Sequence, residues 1–145
     1  LKLSSTKSIL KNKSVVLIDD SLVRGTTCSK IVKMLYKAGA KEVHVRIACP
    51  EIKFPDFYGV DMPTKKELLS SKKNIKEICE YLGAETINFL SLDGLYKALI
   101  KDKRNNNYPQ FSDHYFTGEY PVKALDELGN EKITQLSLLS NKSSS

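Results

Sequence analysis

No apolar stretch of this 145-residue chain approaches the ~20 residues that span a bilayer. No secretory hydrophobic region opens it either. Membrane insertion and export are therefore not expected. Cysteine is scarce: Cys28, Cys49 and Cys79 stand far apart with no CxxC spacing. That excludes a disulfide framework and a cysteine zinc site, and three free thiols fit a reducing cytoplasm. The two histidines, His44 and His114, have no Cys, Asp or Glu partner at ligand spacing. His44 is read as a partly buried strand residue, and His114 as exposed or packed within an aromatic segment. No GxGxxG and no GK[ST] follows a strand, which removes the dinucleotide and Walker-type phosphate sites. No serine or cysteine sits in a nucleophile motif, and no internal repeat is visible.

The balance of what remains is that of an ordinary globular protein, 41% hydrophobic and 28% charged, with a formal net charge of +6. Such a charge raises the question of nucleic acid. The lysines are scattered over separate predicted helices and turns, with no aromatic residues interleaved in an RNA-binding pattern. They read as solvated faces with a general attraction for small anions, and no nucleic-acid partner is expected. The chain begins with Leu1, and a strand arrives by Val15, so a piece of something longer is expected.

The most informative stretch is Val15–Thr27, VVLIDDSLVRGTT. Val15 to Ile18 is a continuous apolar run, the pattern of a buried parallel strand. It ends in Asp19 and Asp20, passes through Ser21, Leu22 and Val23, and reaches Arg24-Gly25-Thr26-Thr27 at the head of a helix. That order puts two carboxylates and a nest of backbone N–H groups at the carboxyl edge of a sheet, where open α/β folds bind ligands. Gly25 lets the main chain curl close to an anion, and the helix dipole favours phosphate there. The hydroxyls of Thr26 and Thr27 add donors. Asp19 and Asp20 accept from vicinal hydroxyls or hold Mg²⁺. Arg24 neutralises a phosphate or pairs with a nearby acid. A sugar phosphate carrying a divalent cation meets all these groups.

The periodicity gives the surrounding order. Thr26–Ala38 is a helix with Cys28, Ile31, Val32 and Leu35 on one face and Gly39 as its stop. Glu42–Ala48 alternates as a half-buried strand, completing a right-handed βαβ unit. Residues 50–63 form a long loop, of the length that is often functional. Thr64–Glu67 spells a capping box that opens a short helix. Asn74–Leu82 is a helix with Ile75, Ile78, Cys79 and Leu82 on its apolar face, and Thr86–Leu90 is a strand. Ser91 or Asp93 caps a helix to Ile100 in which Leu95 and Leu99 share a face. Loops occupy 101–110, an aromatic turn-rich segment 111–121, and a partly disordered extension 122–145.

VVLIDDSLVRGTT resembles the phosphoribosyl pyrophosphate (PRPP) signature of the type I phosphoribosyltransferases, in the wording used by glutamine PRPP amidotransferases. Ala48–Pro63, Thr64–Leu69 and Phe116–Pro121 resemble further blocks of that family in the same order. The resemblance implies a partial type I phosphoribosyltransferase-like parallel sheet flanked by helices over residues 1–121. Asp19, Asp20, Ser21, Val23, Arg24, Gly25, Thr26 and Thr27 would be its PRPP-binding residues, with Asp19 and Asp20 holding Mg²⁺. It implies transfer of glutamine-derived ammonia to PRPP, giving 5-phosphoribosylamine at the first step of purine synthesis. The glutaminase cysteine would lie in an upstream domain absent from this chain, so no catalytic residue is expected within it. Homotetramers and inhibition by purine nucleotides are implied as well. One branch of the family binds an iron–sulfur cluster through cysteines; the matching positions here are Asp56, Ser112 and Tyr115, so no cluster is expected. A PRPP-sensing regulator would share the Asp-Asp loop but need not share the FPDFYGVDMP and FTGEYP blocks, and a nucleobase phosphoribosyltransferase would share the loop but carry a base-binding hood in place of the long C-terminal run. Without its early strands the sheet would expose an edge and apolar surface, and poor solubility in isolation is expected.

Overall fold

A computed structural model describes residues 7–58 and 64–120. The predicted extension at 122–145 lies outside them, as do residues 1–6 and the end of the long loop. The order is α1 (Lys7–Leu10), β1 (Ser14–Asp19), α2 (Thr26–Lys37), β2 (Glu42–Ile47), a 3₁₀ turn (Lys65–Glu67), α3 (Leu69–Lys72), α4 (Ile75–Leu82), β3 (Thr86–Phe89), α5 (Leu92–Ile100) and α6 (His114–Thr117). The strands form one parallel sheet in the order β1-β2-β3. Ser14 pairs with Glu42 and Asp19 with Ile47, while His44 pairs with Thr86 and Ile47 with Phe89. This is the α/β architecture expected from the sequence.

The two periodicities explain the core. On β2 every second residue, Val43, Val45 and Ile47, is buried, and Ile87 continues that layer on β3. Cys28 and Val32 of α2 and Ile78 and Leu82 of α4 close over it. Each such aliphatic side chain, fully buried, contributes about 1.5–3 kcal/mol. Asn74 and Glu77 form a true capping box at the start of α4, and Gly83 ends that helix at φ 73°. Ser91, rather than Asp93, caps α5 by accepting from the Gly94 N–H at 3.0 Å.

Four details depart from the sequence pattern. The apolar run on β1 is covered on one face only: Val15 and Leu17 are half-buried, while Val16 is 57% and Ile18 72% exposed. Among the described residues, β1 is an edge strand, and nothing covers that side of the sheet. Thr64 does not cap a helix; Leu68 turns extended, and the segment makes a single 3₁₀ turn followed by α3. Ile75 is exposed, because it sits at the first position of α4, beyond the reach of the core. In α5 the buried residue is Tyr96, whereas Leu99 is exposed, because the aromatic segment 111–120 packs on the Tyr96 side.

Candidate anion-binding site

The strand, loop and helix around Asp19–Cys28 enclose a cavity of about 230 Å³, lined by Asp19, residues 21–27 and Cys28. The size is ample for a phosphate group, and its walls follow from local constraints. Leu22 is driven into the core, which bends the chain back after Asp20. The Leu69 N–H donates to the Val23 carbonyl at 2.9 Å, pinning the loop from outside. Gly25 then adopts φ 73°, ψ −2°, the left-handed conformation that closes the turn.

The first backbone bond of α2 runs from Ser29 N–H to the Gly25 carbonyl at 2.9 Å. The N–H groups of Thr26, Thr27 and Cys28 precede it, so they are the unsatisfied donors that every helix start leaves. They belong to residues lining the cavity. No acidic residue lies in the first turn of α2, so no side chain of that turn competes with an external anion for the helix dipole. Thr26 and Thr27 are exposed at the mouth.

The acids divide. Asp19, half-buried, lines the cavity, and its Oδ1 accepts from the Asp20 N–H at 3.1 Å. Asp20 is exposed and outside the lining; its Oδ1 accepts from the Ser21 hydroxyl at 3.2 Å. The pair therefore offers one carboxylate to the cavity and one to the solvent side of its rim. Their charges are felt by the thiols beneath. Burial, with Asp19 adding to it, pushes the Cys28 thiol up to about 11. Burial also raises Cys49, against a hydrogen bond involving the Leu22 backbone and with help from Asp20 and Asp19.

Arg24 has a partner that the local sequence does not announce. Its Nε and Nη2 both donate to Glu67 Oε1 at 3.2 Å. The structure thus brings Asp19, Ser21, Val23, Arg24, Gly25, Thr26 and Thr27 into one wall and sets Asp20 beside it. The sequence pattern gives Glu67 a capping role, and nothing local links it to a residue 43 positions away.

A second polar cluster joins the loop after β2 to α6. Lys53 and Phe54 N–H groups donate to the Tyr115 carbonyl, and the Tyr120 hydroxyl donates to the Pro55 carbonyl. His114 Nε2 meets Asp56 Oδ1 at 2.8 Å, with side chains 1% and 0% exposed. Local spacing offers His114 no acidic partner; this one comes from 58 positions away. Burial, then the charge and hydrogen bond of Asp56, push the Tyr115 phenol up. Nearby, Arg104 donates to Asp113 and Glu119, and the Tyr96 hydroxyl donates to Asp113 at 2.7 Å. Arg104 and Asp113 are 7% and 4% exposed, a buried ion pair.

Two adjacent carboxylates suit Mg²⁺, which takes one or two protein carboxylates and completes its shell with water and substrate phosphates. No group of three or more His, Cys, Asp or Glu able to hold a metal is present among the described residues. Asp56, Ser112 and Tyr115 offer no thiolate, and Asp56 is already engaged by His114; an iron–sulfur cluster does not fit.

No protein-family model matches the chain. Among curated proteins it is 48% identical to the amidophosphoribosyltransferase of Rhizobium etli, over 97% of this chain and 29% of the relative. It is 46% identical to the Staphylococcus aureus enzyme of the same name, over 91% of this chain and 26% of the relative. The chloroplastic amidophosphoribosyltransferase 1 of Arabidopsis thaliana matches at 50% over 85% of this chain and 21% of the relative. The chain thus spans 21–29% of the length of these relatives. In solved structures it superposes on the glutamine PRPP amidotransferase from B. subtilis complexed with ADP and GMP, with TM-score 0.73, 44% identity and coverage of 81% of this chain and 26% of that one. A structure described as the allosteric regulatory enzyme of purine biosynthesis gives TM-score 0.72, 42% identity and coverage of 89% and 26%.

Proposed function

We propose that this chain, which belongs to the amidophosphoribosyltransferase family over the segment it shares with those proteins, supplies the PRPP-binding half of the ammonia-transfer reaction. The observation that carries this reading is the cradle at Asp19–Cys28: a left-handed Gly25, three unsatisfied helix N–H groups and a carboxylate in one cavity. The N–H groups of residues 26–28 and the hydroxyls of Thr26 and Thr27 would hold the 5-phosphate of PRPP. Asp19, and Asp20 at the rim, would accept from the ribose hydroxyls and hold Mg²⁺. When bound, Mg²⁺ offsets the negative charge that builds on the departing pyrophosphate.

In the reaction, ammonia nitrogen bonds to C1 of the ribose as the bond from C1 to the pyrophosphate oxygen breaks. The products are 5-phosphoribosylamine, pyrophosphate and a proton. The transition state places positive charge on the sugar ring, and the fixed acids and amides of this chain would orient the ring for it. Glutamine would enter as the ammonia source through a glutaminase domain outside this chain. Purine nucleotides are further ligands on this reading, since their 5′-phosphate has the same chemistry; the ADP and GMP complexed with the B. subtilis enzyme support that. A homotetramer in the cytoplasm, without an iron–sulfur cluster, completes the reading. Three free cysteines support the compartment.

Calorimetry on the intact protein tests it. The unaltered protein is expected to bind PRPP in a Mg²⁺-dependent manner, and Asp19→Asn and Asp20→Asn each to lose about tenfold or more, the scale of one charged hydrogen bond. Unchanged affinity in both variants would overturn the assignment.

A further inference from the structure

The cradle is braced by one short segment, residues 64–72, at three consecutive loop positions. The Leu69 N–H holds the Val23 carbonyl, the Glu67 carboxylate holds the Arg24 guanidinium, and the Leu69 side chain packs against Gly25. Of these, the Glu67 contact alone reaches a side chain at the rim of the cavity.

The geometry of that contact is specific. Both Nε and Nη2 of Arg24 converge on the single oxygen Oε1 at 3.2 Å, while Oε2 accepts from the Thr64 hydroxyl at 3.4 Å. A guanidinium has five N–H donors, so three remain for another acceptor. The carboxylate therefore fixes the plane of the guanidinium and leaves Nη1 uncommitted to it.

Its weight in folding is small by the same numbers. The side chains of Arg24 and Glu67 are 55% and 47% exposed, and ion pairs this open add little to stability. The contact is a poor anchor for the fold and a good guide for one flexible side chain.

We propose that Glu67 is a positioning residue for the anion cradle, acting through Arg24, whose guanidinium it holds ready at the cavity rim for the phosphate-bearing ligand. This rests on the reading of the cradle as the PRPP site. Without Glu67, Arg24 must be ordered when ligand binds, and the loss is about three- to tenfold in affinity, the cost of immobilising one long side chain.

The test is steady-state kinetics on the intact protein with PRPP and Mg²⁺, comparing the unaltered protein with Glu67→Ala, Glu67→Gln, Arg24→Ala and the Arg24→Ala/Glu67→Ala double variant. Glu67→Ala is expected to raise KM for PRPP about three- to tenfold with kcat within about twofold. Glu67→Gln keeps an oxygen acceptor and should recover most of the loss. In the Arg24→Ala background, removing Glu67 should do nothing further. Unchanged KM in Glu67→Ala, or an equal loss with and without Arg24, overturns the proposal while leaving the cradle assignment intact. Absence of Mg²⁺-dependent PRPP binding in the unaltered protein overturns the cradle assignment, and this proposal with it.

Discussion

Two glycines in the same backbone conformation allow the geometry of the cradle to be tested against itself. Gly25 and Gly83 both have φ of +73°, so alanine at either position adopts the left-handed region at about 1–2 kcal/mol. Both substitutions also regain the same unfolded-chain entropy, about 0.4–1 kcal/mol, which cancels between them. They differ only in what the new methyl meets. At Gly83 there is nothing within 4 Å. At Gly25 a Cβ would stand 2.7 Å from Leu69 Cδ2, 3.1 Å from Tyr81 Cε1 and 3.4 Å from Leu82 Cδ2.

Tyr81 is exposed enough to swing aside, but Leu69 and Leu82 are buried, and Leu69 is tied to Val23 through its N–H. Overpacking of that kind costs about 1–3 kcal/mol more. Gly25→Ala should therefore lose about 1–3 kcal/mol more than Gly83→Ala. Hydrogen exchange of the amides of Val43–Val45 and Ile78–Leu82 in the intact protein reports the local loss. Because the clash pushes the loop off Leu69, Gly25→Ala should also abolish measurable phosphate-ligand binding, which Gly83→Ala preserves. Equal losses at the two positions would refute the close packing of Leu69 and Leu82 behind Gly25.

The buried pair of Arg104 and Asp113 should behave as a fold determinant: Asp113→Ala leaves a buried guanidinium short of its main partner and should cost about 3–5 kcal/mol in denaturant unfolding. Burial pushes the Asp113 carboxyl up, but hydrogen bonds from Arg104 and Tyr96 outweigh it and hold it below its ordinary 3.8. A depressed folded value means this stabilisation is complete above about pH 4 and is lost as pH falls through the folded value. Asp113→Asn should flatten that acid limb, and an unchanged limb would count against the pair. Cys28, its thiol raised to about 11, carries almost no thiolate near neutrality, so alkylation at about pH 8 followed by mass spectrometry should find it the last of the three cysteines to react.

What the sequence discloses is what lies close along the chain. Strand, acids, turn glycine and helix start at 15–27 form one continuous device, and each part follows from a local rule. The contacts that make it rigid do not. Glu67 meets Arg24, His114 meets Asp56, and Arg104 meets Asp113 only after the chain has folded. The two capping-box spellings make the difference plain. Thr64-x-x-Glu67 and Asn74-x-x-Glu77 both carry the pattern. Only the second closes. Glu77 turns back to the Asn74 N–H, whereas Glu67 turns to Arg24 and the chain after it goes extended at Leu68. A local motif is an offer that tertiary partners accept or refuse.

The apolar letters of β1 carry a message of another kind. On β2 the alternation Val43, Val45, Ile47 against His44 and Arg46 states that one face is polar, and the structure agrees. His44 accordingly spends both ring nitrogens on neighbours across that face, Thr86 at 2.9 Å and Ser14 at 3.1 Å. On β1 no such alternation exists, since Val15, Val16, Leu17 and Ile18 are all apolar. A strand written this way is stable with cover on both faces and with neighbours on both edges. The described residues give it cover on one face and a neighbour on one edge. Val16 and Ile18 thus specify packing that the described residues do not supply, in a chain spanning 26–29% of the Rhizobium etli and Staphylococcus aureus relatives. The cradle depends on the other side of the same strand, where Leu17 packs against the core and Asp19 turns into the cavity. The cradle's side of β1 is thus complete among the described residues, and the opposite side is not.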